Sequence, residues 1–420
     1  MVNNTKIWLL KIILLKNIWF FIFFFILMGL AASTSTSLYA NESNTGIVLA
    51  DDSGNIIFSQ NSKKQFTPAS ILKILTSLAA IDILGDNYNF PTKYRFDKDS
   101  LNLYIKGFGD PLYISEVIEQ LCHEIILKTQ TKQIHNIILD HTYFSEQIKV
   151  PGKTTSLNPY DASVGATCAN FNTIKFKWNS RKNKFVSGEP QTPLLTIFHN
   201  DIKDSGLKQG RIILSKHQSL LYPGLLIKYF LEKNSIKITG SVLQGELDTR
   251  GIKTYSFQSP FKLADIVEKL LKFSNNFIAN QLLLVMGAKE FGEPATLEKG
   301  IKTLENFSNQ NLNLRNIKIH EGSGLSRSNL ISPTQMLNIL LKFMPYYPLL
   351  KNKDNDFYKT GTLTDVRTRA GYILDKDNRL YPYVIMVNEK NRGYESILLY
   401  LIHIVTNGRV SQMIKHPISQ

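Results

Sequence analysis

Thr67-Pro68-Ala69-Ser70-Ile71-Leu72-Lys73 opens an apolar run that continues to Leu84, and the rest of the chain can be placed relative to it. The apolar residues recur at the spacing of an α-helix, and a proline two residues before Ser70 suits a helix entry, where a missing N–H costs little. Ser70 and Lys73 are three residues apart, so their side chains share one face of the helix. The stretch therefore predicts a buried helix that brings an amine to a serine hydroxyl at its N-terminus, which is the minimal arrangement for an activated nucleophile.

The Ser-x-x-Lys pattern is weak by itself, because it occurs three times in the chain. Ser205 and Lys208 lie in a polar stretch, and Ser259 and Lys262 flank a proline at a predicted helix start. Solvated or capping roles explain both of these copies. Serine is a preferred helix N-cap, so a capping role for Ser70 also competes with a catalytic one until partners are found elsewhere.

The first 40 residues have the pattern of a signal peptide. Three lysines precede an uncharged apolar run from Ile18 to Ala32, and small polar residues follow up to Ala40. The run is shorter than the roughly 20 residues of a membrane-spanning helix, although residues Ile7 to Leu15 would lengthen it. We expect an exported protein of the periplasm or cell envelope, with an uncleaved membrane anchor as the alternative.

Composition and charge describe a globular, basic protein. The chain has 420 residues, 43% of them hydrophobic and 11% aromatic, which suffices for two or three well-packed domains. Its net charge of +15 falls to +12 without residues 1–40, which contain three lysines and no acids. Such a charge favours anionic surroundings, meaning an acidic polymer or a membrane surface. The basic residues are dispersed and the protein is expected to be exported, so we expect no nucleic-acid partner.

The cysteines and histidines give no metal-binding pattern. Eight histidines are scattered along the chain without Cys/His ligand spacing, so we expect no metal ion and no other cofactor. Cys122 and Cys168 remain after removal of the first 40 residues. In an exported protein they could form a disulfide, and their spacing leaves that open.

Periodicity along the chain predicts a mixed protein of helices and strands. Short alternating segments between about residues 170 and 217 indicate a small β-rich module. The other predicted strands lie at about residues 46–50, 55–59, 101–105, 134–140, 236–243, 370–374 and 381–387, and the predicted helices at about 115–128, 224–232, 261–286 (interrupted at 273–277), 296–307, from 333 onward, and 394–405.

Three short motifs follow one another in a fixed order: Ser70-x-x-Lys73, Ser274-Asn275-Asn276 and Lys359-Thr360-Gly361. A second Ser-x-Asn copy, Ser156-Leu157-Asn158, precedes a proline in a predicted loop. The copy at Ser274 interrupts an apolar helical region, where two adjacent asparagines are otherwise poorly placed. Lys-Thr-Gly occurs once, where a strand is predicted to begin, and its glycine leaves space for another backbone or a ligand. Together the three motifs are far more specific than any one of them.

The same ordered trio occurs in penicillin-binding proteins and serine β-lactamases. Over nearly all of the chain after residue 40, the sequence resembles the low-molecular-mass penicillin-binding proteins of the D-alanyl-D-alanine carboxypeptidase/endopeptidase type, peptidase family S13. Beyond the trio, the matching stretches are Pro68-Ala69, Ala79-Ala80, Leu84-Gly85, Gly107 to Pro111, Asp140 to Phe144, Asn158 to Ala162, Phe277, Gly322 to Arg327, Thr362-Leu363, Ala370 to Tyr372 and Met386 to Asn388.

The resemblance implies an α/β (α+β) fold with an antiparallel sheet flanked by helices. Ser70 and Ser274 are 204 residues apart, more than one compact domain needs between two parts of one site, so an insertion is expected. We therefore expect a catalytic domain from residues 41–88 plus 250–420, split by an inserted α/β and β-rich region at 89–249 that contains the module at 170–217. Glu321 stands where many family members have aspartate.

The resemblance also implies acyl transfer from a peptidoglycan stem peptide that ends in D-Ala-D-Ala. Ser70 is expected to attack the carbonyl of the penultimate D-Ala and to form an acyl-enzyme. Lys73 would accept the serine proton, which requires a pKa lowered by burial and by a second cation, Lys359. Ser274 would relay the proton to the leaving amine, and Asn276 would orient Lys73 and the substrate amide. β-Lactam antibiotics would act as covalent inhibitors.

Further residues are expected to bind the substrate. Lys359, with Thr360, Gly361 and Thr362, would bind the terminal carboxylate, and the backbone N–H groups of Ser70 and Thr362 would form the oxyanion hole. In a separate group, Asp140 and Arg327 are expected to contact the side chain of the stem peptide. A surface-exposed strand end for Asp140 and a structural ion pair for Arg327 are the open alternatives.

Two other functions compete with this interpretation. A β-lactamase has the same fold and trio, but the Glu-x-Glu-Leu-Asn element of class A β-lactamases is absent and the long insertion speaks against that class. A non-catalytic scaffolding protein of the cell envelope would keep the fold without turnover. Every motif residue is intact here, which favours an enzyme.

Overall fold

A computed structural model of the protein describes residues 44–152, 162–248 and 253–406. The predicted signal peptide and the Ser156-Leu157-Asn158 copy lie outside these ranges. From Gly46 onward the described residues belong to one compact unit. Within the described ranges, no helix is both long enough and apolar enough to cross a membrane.

The described chain alternates strands and helices. The strands are β1 (Thr45–Ala50), β2 (Ile56–Gln60), β3 (Asn89–Phe96), β4 (Leu103–Gly107), β5 (Gln133–Ile134), β6 (Ile137–Asp140), β7 (Thr173–Asn179), β8 (Lys184–Ser187), β9 (Gln209–Ile213), β10 (Lys237–Ile238), β11 (Val242–Gln244), β12 (Tyr255–Lys262), β13 (Lys351–Lys353), β14 (Asp356–Leu363), β15 (Val366–Leu374) and β16 (Leu380–Val387). The α-helices are α1 (Lys73–Leu84), α2 (Ser115–Thr129), α3 (His199–Asp204), α4 (Lys216–Lys233), α5 (Leu263–Phe273), α6 (Asn276–Phe291), α7 (Leu297–Leu312), α8 (Pro333–Phe343) and α9 (Glu395–Thr406).

A six-stranded sheet in the order β13-β14-β15-β16-β1-β2 carries the Lys-Thr-Gly motif on β14. Strands β13 to β16 pair antiparallel, and Lys359 lies opposite Ala370 in the register of β14 and β15. Helices α1, α5, α6, α7 and α8 share one apolar core with this sheet. Both sequence ends of the described chain thus contribute to one sheet, with α1 packed in the core beside it.

A second, five-stranded sheet has the order β11-β6-β4-β3-β12 and is mixed. Its strands β3, β4 and β12 pair antiparallel, whereas β6 pairs parallel with β4 and β11. Helices α2 and α4 contribute to a second apolar core with this sheet. A short parallel pair, β5 with β10, and a three-stranded sheet in the order β8-β7-β9 complete this part of the chain.

Most predicted elements are present with shifted ends. The β1–β2 hairpin, helix α2, the break between α5 and α6, and helices α8 and α9 confirm their predictions. The predicted helix at 224–232 was placed too late: α4 begins at Lys216, because Ser215 and Gln218 form a capping box there, and Pro223 lies within it. Lys359 lies in the middle of β14, since that strand begins at Asp356.

The structure also bears on one predicted strand, on the two cysteines and on the predicted domain boundaries. The predicted strand at 134–140 is divided into β5 and β6, which pair in different sheets. Cys122 and Cys168 are both buried, and no disulfide joins them. The division into a catalytic domain and an inserted region stays a prediction; β12, which pairs with β3, would move its second boundary to about residue 262.

Candidate active site

Ser70 lies in a single 3-10 turn, Ala69–Leu72, that leads directly into α1. The residue that precedes this turn is Pro68, and no side chain caps either the turn or the helix. The capping role considered for Ser70 is therefore wrong. Instead, the Ser70 Oγ lies 2.8 Å from the Nζ of Lys73.

The backbone around Ser70 is held in an unusual conformation. Ala69 has a φ of +48°, which a residue with a Cβ rarely adopts. Gly324 lies against it so closely that a Cβ there would collide with the Ala69 carbonyl oxygen, and a Cβ on Gly361 would lie 2.8 Å from the Ser70 nitrogen. Thr368 Oγ1 donates a hydrogen bond of 2.7 Å to the Pro68 carbonyl. The Ser70 turn thus packs against strands β14 and β15.

Lys73 is fully buried, and its amine has three oxygen neighbours. Besides Ser70 Oγ, the Nζ donates to Asn276 Oδ1 at 2.7 Å and to the Ser323 carbonyl at 2.6 Å. Burial lowers the pKa of Lys73 to about 7, and the charge of Glu321 partly offsets this by raising it. A neutral amine has two N–H groups for the two carbonyl-type oxygens, so its lone pair points toward the Ser70 hydroxyl.

The Ser274-Asn275-Asn276 motif uses each residue differently. Ser274 ends α5 in a left-handed conformation with a φ of +55°. Asn275 is the N-cap of α6, where its side chain accepts a hydrogen bond of 2.9 Å from the Phe277 N–H. Asn276 is the first residue of α6 and reaches Lys73. The turn between two helices therefore explains the two adjacent asparagines.

Lys359 is the second buried amine of the site and is 2% exposed. Its Nζ donates to the Thr360 carbonyl at 2.7 Å. Burial lowers the pKa of Lys359 well below its usual range, and the charges of Lys73 and Lys351 lower it further. The charge of Lys73 thus disfavours a charged Lys359, whereas the lowered pKa of Lys73 itself comes from burial and not from Lys359.

Glu321 is a site residue whose role sequence reasoning missed. It is 0% exposed, and its carboxylate accepts hydrogen bonds from the loop that follows it, including the Ser323 N–H at 2.7 Å and the Leu325 N–H at 2.8 Å. The available signal was a carboxylate directly before Gly322-Ser323-Gly324, where successive N–H groups can turn toward one anion.

Asp140 and Arg327 make contacts within the protein. Asp140 is 2% exposed, so the surface-exposed alternative is wrong. Its Oδ1 accepts from the N–H and hydroxyl of Thr142 at 2.8 and 2.6 Å, and its Oδ2 from the Leu247 N–H at 2.8 Å. The Arg327 guanidinium donates to the Thr364 carbonyl, just beyond the end of β14. Hydrogen bonds thus join Ser70, Lys73 and Asn276, but not these two residues, into one group.

A small pocket opens beside Asn276. Its lining is mainly apolar and includes Val150, Val164 and Leu325. Within the part of the chain that the structure describes, no three His, Cys, Asp or Glu side chains are grouped closely enough to hold a metal ion.

Two characterised relatives are similar to most of the chain. The D-alanyl-D-alanine carboxypeptidase of Actinomadura sp. (strain R39) is 22% identical over 349 residues, covering 70% of this chain and 64% of that protein. The chain thus spans less than two thirds of that relative's length. D-alanyl-D-alanine carboxypeptidase DacB of Haemophilus influenzae is 23% identical over 418 residues, covering 84% of this chain and 86% of that protein.

Solved structures with the same fold are equally distant in sequence. The crystal structure of penicillin binding protein 4 (dacB) from Haemophilus influenzae has a TM-score of 0.67 at 19% identity and covers 86% of this chain and 95% of that one. Bd3459, a predatory peptidoglycan endopeptidase from Bdellovibrio bacteriovorus, has a TM-score of 0.51 at 17% identity, with 89% and 91% covered. At these identities the likeness concerns the fold, and it confirms the predicted fold class.

A family model also matches most of the chain. The D-Ala-D-Ala carboxypeptidase 3 (S13) family matches residues 32–206 and 202–345, a span that includes the first two motifs and Glu321. The predicted resemblance is confirmed by this match and by the two relatives. The chain therefore belongs to the D-Ala-D-Ala carboxypeptidase 3 (S13) family.

Proposed function

We propose that the protein is a serine-type D-Ala-D-Ala carboxypeptidase that also acts as an endopeptidase on peptidoglycan cross-links. The observation that carries this proposal is the environment of Lys73. A buried amine with a pKa of about 7 lies 2.8 Å from a serine hydroxyl, while two oxygens of Asn276 and Ser323 occupy its N–H groups. This arrangement suits a general base that acts near neutral pH.

In the proposed reaction, Ser70 Oγ attacks the carbonyl carbon of the penultimate D-Ala while its proton moves to the Nζ of Lys73. The proton then passes through the Ser274 hydroxyl to the departing amine, the C–N bond breaks, and terminal D-Ala leaves. Water hydrolyses the resulting ester. In the endopeptidase reaction the departing amine belongs to the side chain of a second stem peptide. Asn276 orients both Lys73 and the substrate amide.

Charge and backbone donors would stabilise the substrate and the transition state. Lys359 supplies positive charge for the terminal carboxylate, with Thr360, Gly361 and Thr362 along the same strand. The oxyanion would bind the N–H groups of Ser70 and Thr362, and the close approach of Gly361 to the Ser70 nitrogen supports this pairing. Loss of one such donor typically raises the barrier by about 3 kcal/mol.

The contact between the stem-peptide side chain and Asp140 or Arg327 stays a proposal. Arg327 is the stronger candidate, because its guanidinium lies beside Thr364, two residues beyond Thr362. Both carboxylate oxygens of Asp140 already accept hydrogen bonds within the protein. A role for Asp140 in positioning the chain near Leu247 is the simpler explanation.

We also propose that the protein is exported to the periplasm or cell envelope and associates there with an anionic membrane surface. The β7–β8 hairpin supports the second part. It has no acidic residue, and the side chain of Trp178 is 39% exposed among the basic residues. The exposed basic residues of the hairpin are Lys175, Lys177, Arg181, Lys182 and Lys184.

Vesicle binding tests the role of this hairpin. Reversing Lys177 and Lys182 to Glu should weaken co-sedimentation with phosphatidylglycerol vesicles, because it turns attraction to the anionic lipid into repulsion. The measurement is made at low salt, since exposed charges are screened over about 10 Å at 0.1 M salt. The matched control reverses Lys269 and Lys302, which lie outside the hairpin. Equal binding by both double variants would reject the hairpin, and binding to soluble anionic glycan but not to vesicles would reject the membrane.

The function is tested by mass spectrometry of the purified protein after incubation with benzylpenicillin, together with D-Ala release from a D-Ala-D-Ala peptide. We expect one stable adduct on Ser70, D-Ala release by the wild type, and neither with Ser70→Ala. Ser205→Ala is the matched control, because Ser205 has the same Ser-x-x-Lys pattern outside the site. Rapid loss of the adduct would indicate a β-lactamase, and a folded protein without adduct or D-Ala release would indicate a scaffolding protein.

A further inference from the structure

Glu321 accepts six hydrogen bonds although its side chain is fully buried. Its Oε2 accepts from the Ser323 N–H at 2.7 Å, the Ser323 hydroxyl at 2.5 Å and Asn280 Nδ2 at 3.1 Å. Its Oε1 accepts from the N–H groups of Leu325 and Ser326 at 2.8 and 3.3 Å and from Asn329 Nδ2 at 2.8 Å. Because every partner is a donor, a carboxylate fits this position and a carboxylic acid or amide does not.

The donors of Glu321 include Ser323, whose carbonyl holds the Lys73 amine, and Asn280, which bonds to the backbone of Asn276. Ser323 donates twice to Glu321, and its carbonyl accepts from Lys73. Asn280, one turn after Asn276 on α6, donates to Glu321 and also to the Asn276 carbonyl at 3.2 Å. The Oδ1 of Asn280 accepts from the Gly322 N–H at 2.9 Å, which closes the network. One carboxylate therefore joins α6 to the loop on the other side of Lys73.

Two ionisable side chains approach Lys73 from different sides. Glu321 is the carboxylate on the side of the loop, and Lys359 on β14 is an amine whose charged form burial disfavours. Glu321 acts against the effect of burial on Lys73. Removing its charge would therefore lower the pKa of Lys73 below about 7.

We propose that Glu321 is a positioning residue for Lys73, whose buried carboxylate fixes the Asn276 and Ser323 oxygens around the amine and supplies the negative charge behind it. The inference rests on the proposed function, since it concerns the base of that reaction. Glu321 itself touches neither Ser70 nor the substrate. Its two effects are separable, because a substitution can remove the charge or displace the carboxylate.

The test is the pH dependence of acylation by benzylpenicillin in Glu321→Gln and Glu321→Asp. Glu321→Gln removes the charge, so the acid limb of its pH–rate profile should move down by about one pH unit. Its plateau rate should fall about tenfold or more, because the amide NH₂ then faces three hydrogen-bond donors. Glu321→Asp keeps the charge, so its limb should stay in place while the rate falls several-fold. Glu268→Gln, which removes an exposed carboxylate paired with Lys272 on α5, is the control and should match the wild type.

The outcomes separate this inference from the proposed function. If the wild type is not acylated at any pH, the proposed function fails. If the wild type shows an acid limb and folded Glu321→Gln shows the same limb, with only a lower melting temperature, Glu321 is merely structural and the inference is wrong. If Glu321→Gln does not fold, Glu321→Asp decides: a wild-type rate at every pH contradicts the positioning role.

Discussion

Asp140 beside the second core and the two lysines of the site in the first core are buried in different ways. Beside the second core, the carboxylate of Asp140 on β6 accepts three hydrogen bonds, so its charged form is well accommodated. In the first core, Lys73 and Lys359 are buried with their pKa values lowered, which means that burial disfavours their charged forms. The lysine that burial penalises, Lys73, lies beside the Ser70 hydroxyl, whereas Asp140 lies outside that hydrogen-bonded group.

The largest effect on acylation is expected from Lys73→Met. Loss of the base should reduce acylation by benzylpenicillin by about 10³-fold or more, by the usual worth of general base catalysis. The variant should nevertheless be more stable at pH 7, because relief of a pKa shift of this size outweighs the cost of the two buried acceptors, Asn276 Oδ1 and the Ser323 carbonyl, that lose their donor. Urea unfolding should show a gain of about 1–3 kcal/mol.

The control for this substitution is Lys272→Met, which removes an exposed lysine of an i,i+4 pair on α5. It should change the free energy of unfolding by less than about 0.5 kcal/mol and leave acylation intact. A Lys73→Met protein that is less stable than the wild type would show that the first core accommodates its amine as well as the second accommodates Asp140.

The stability gain of Lys73→Met should depend on pH, and this dependence tests the lowered pKa of Lys73. The folded pKa of Lys73 is about 7 and its unfolded value is 10.5, so between these values the unfolded state binds more protons than the folded state. The free energy of unfolding of the wild type should therefore rise with pH in this window. The advantage of Lys73→Met should shrink steadily from pH 7 to pH 10, as measured by urea unfolding at each pH. A gap that stays constant with pH would contradict the lowered pKa.

The smallest effect on acylation is expected from Asp140→Asn. An amide in place of the carboxylate turns a donor toward Thr142 or Leu247, which should cost about 1–3 kcal/mol in the free energy of unfolding. Acylation by benzylpenicillin should change less than about twofold, since the hydrogen bonds of Asp140 serve the fold. A higher KM for stem peptides with unchanged acylation would instead assign Asp140 to substrate binding.

The sequence was sufficient where short-range geometry decides the outcome. Ser70 and Lys73 meet because they are three residues apart at a helix entry, and Ser274 to Asn276 form a turn between two helices. Periodicity also located α2 and α9 well. In each case the signal is contained in one continuous stretch of the chain.

The sequence was insufficient where distant segments meet or where a local rule is overridden. The contact between Glu321 and Asn280 joins residues 41 positions apart, and no local sequence pattern around either residue predicts it. Helix α4 begins before Pro223 because its amphipathic packing in the second core and its capping box outweigh the proline. The predicted strand at 134–140 is divided at His135-Asn136 between two sheets, and which sheet each part joins depends on distant strands.

The two buried cysteines have a practical consequence for single-molecule work. Cys122 and Cys168 are 0% and 3% exposed, and they are the two cysteines of the chain. Burial raises the pKa of the Cys122 thiol well above its usual range, so it stays protonated and unreactive. A cysteine introduced at exposed Glu290 would therefore be the preferred target of a maleimide dye in the native protein, without first replacing the natural thiols.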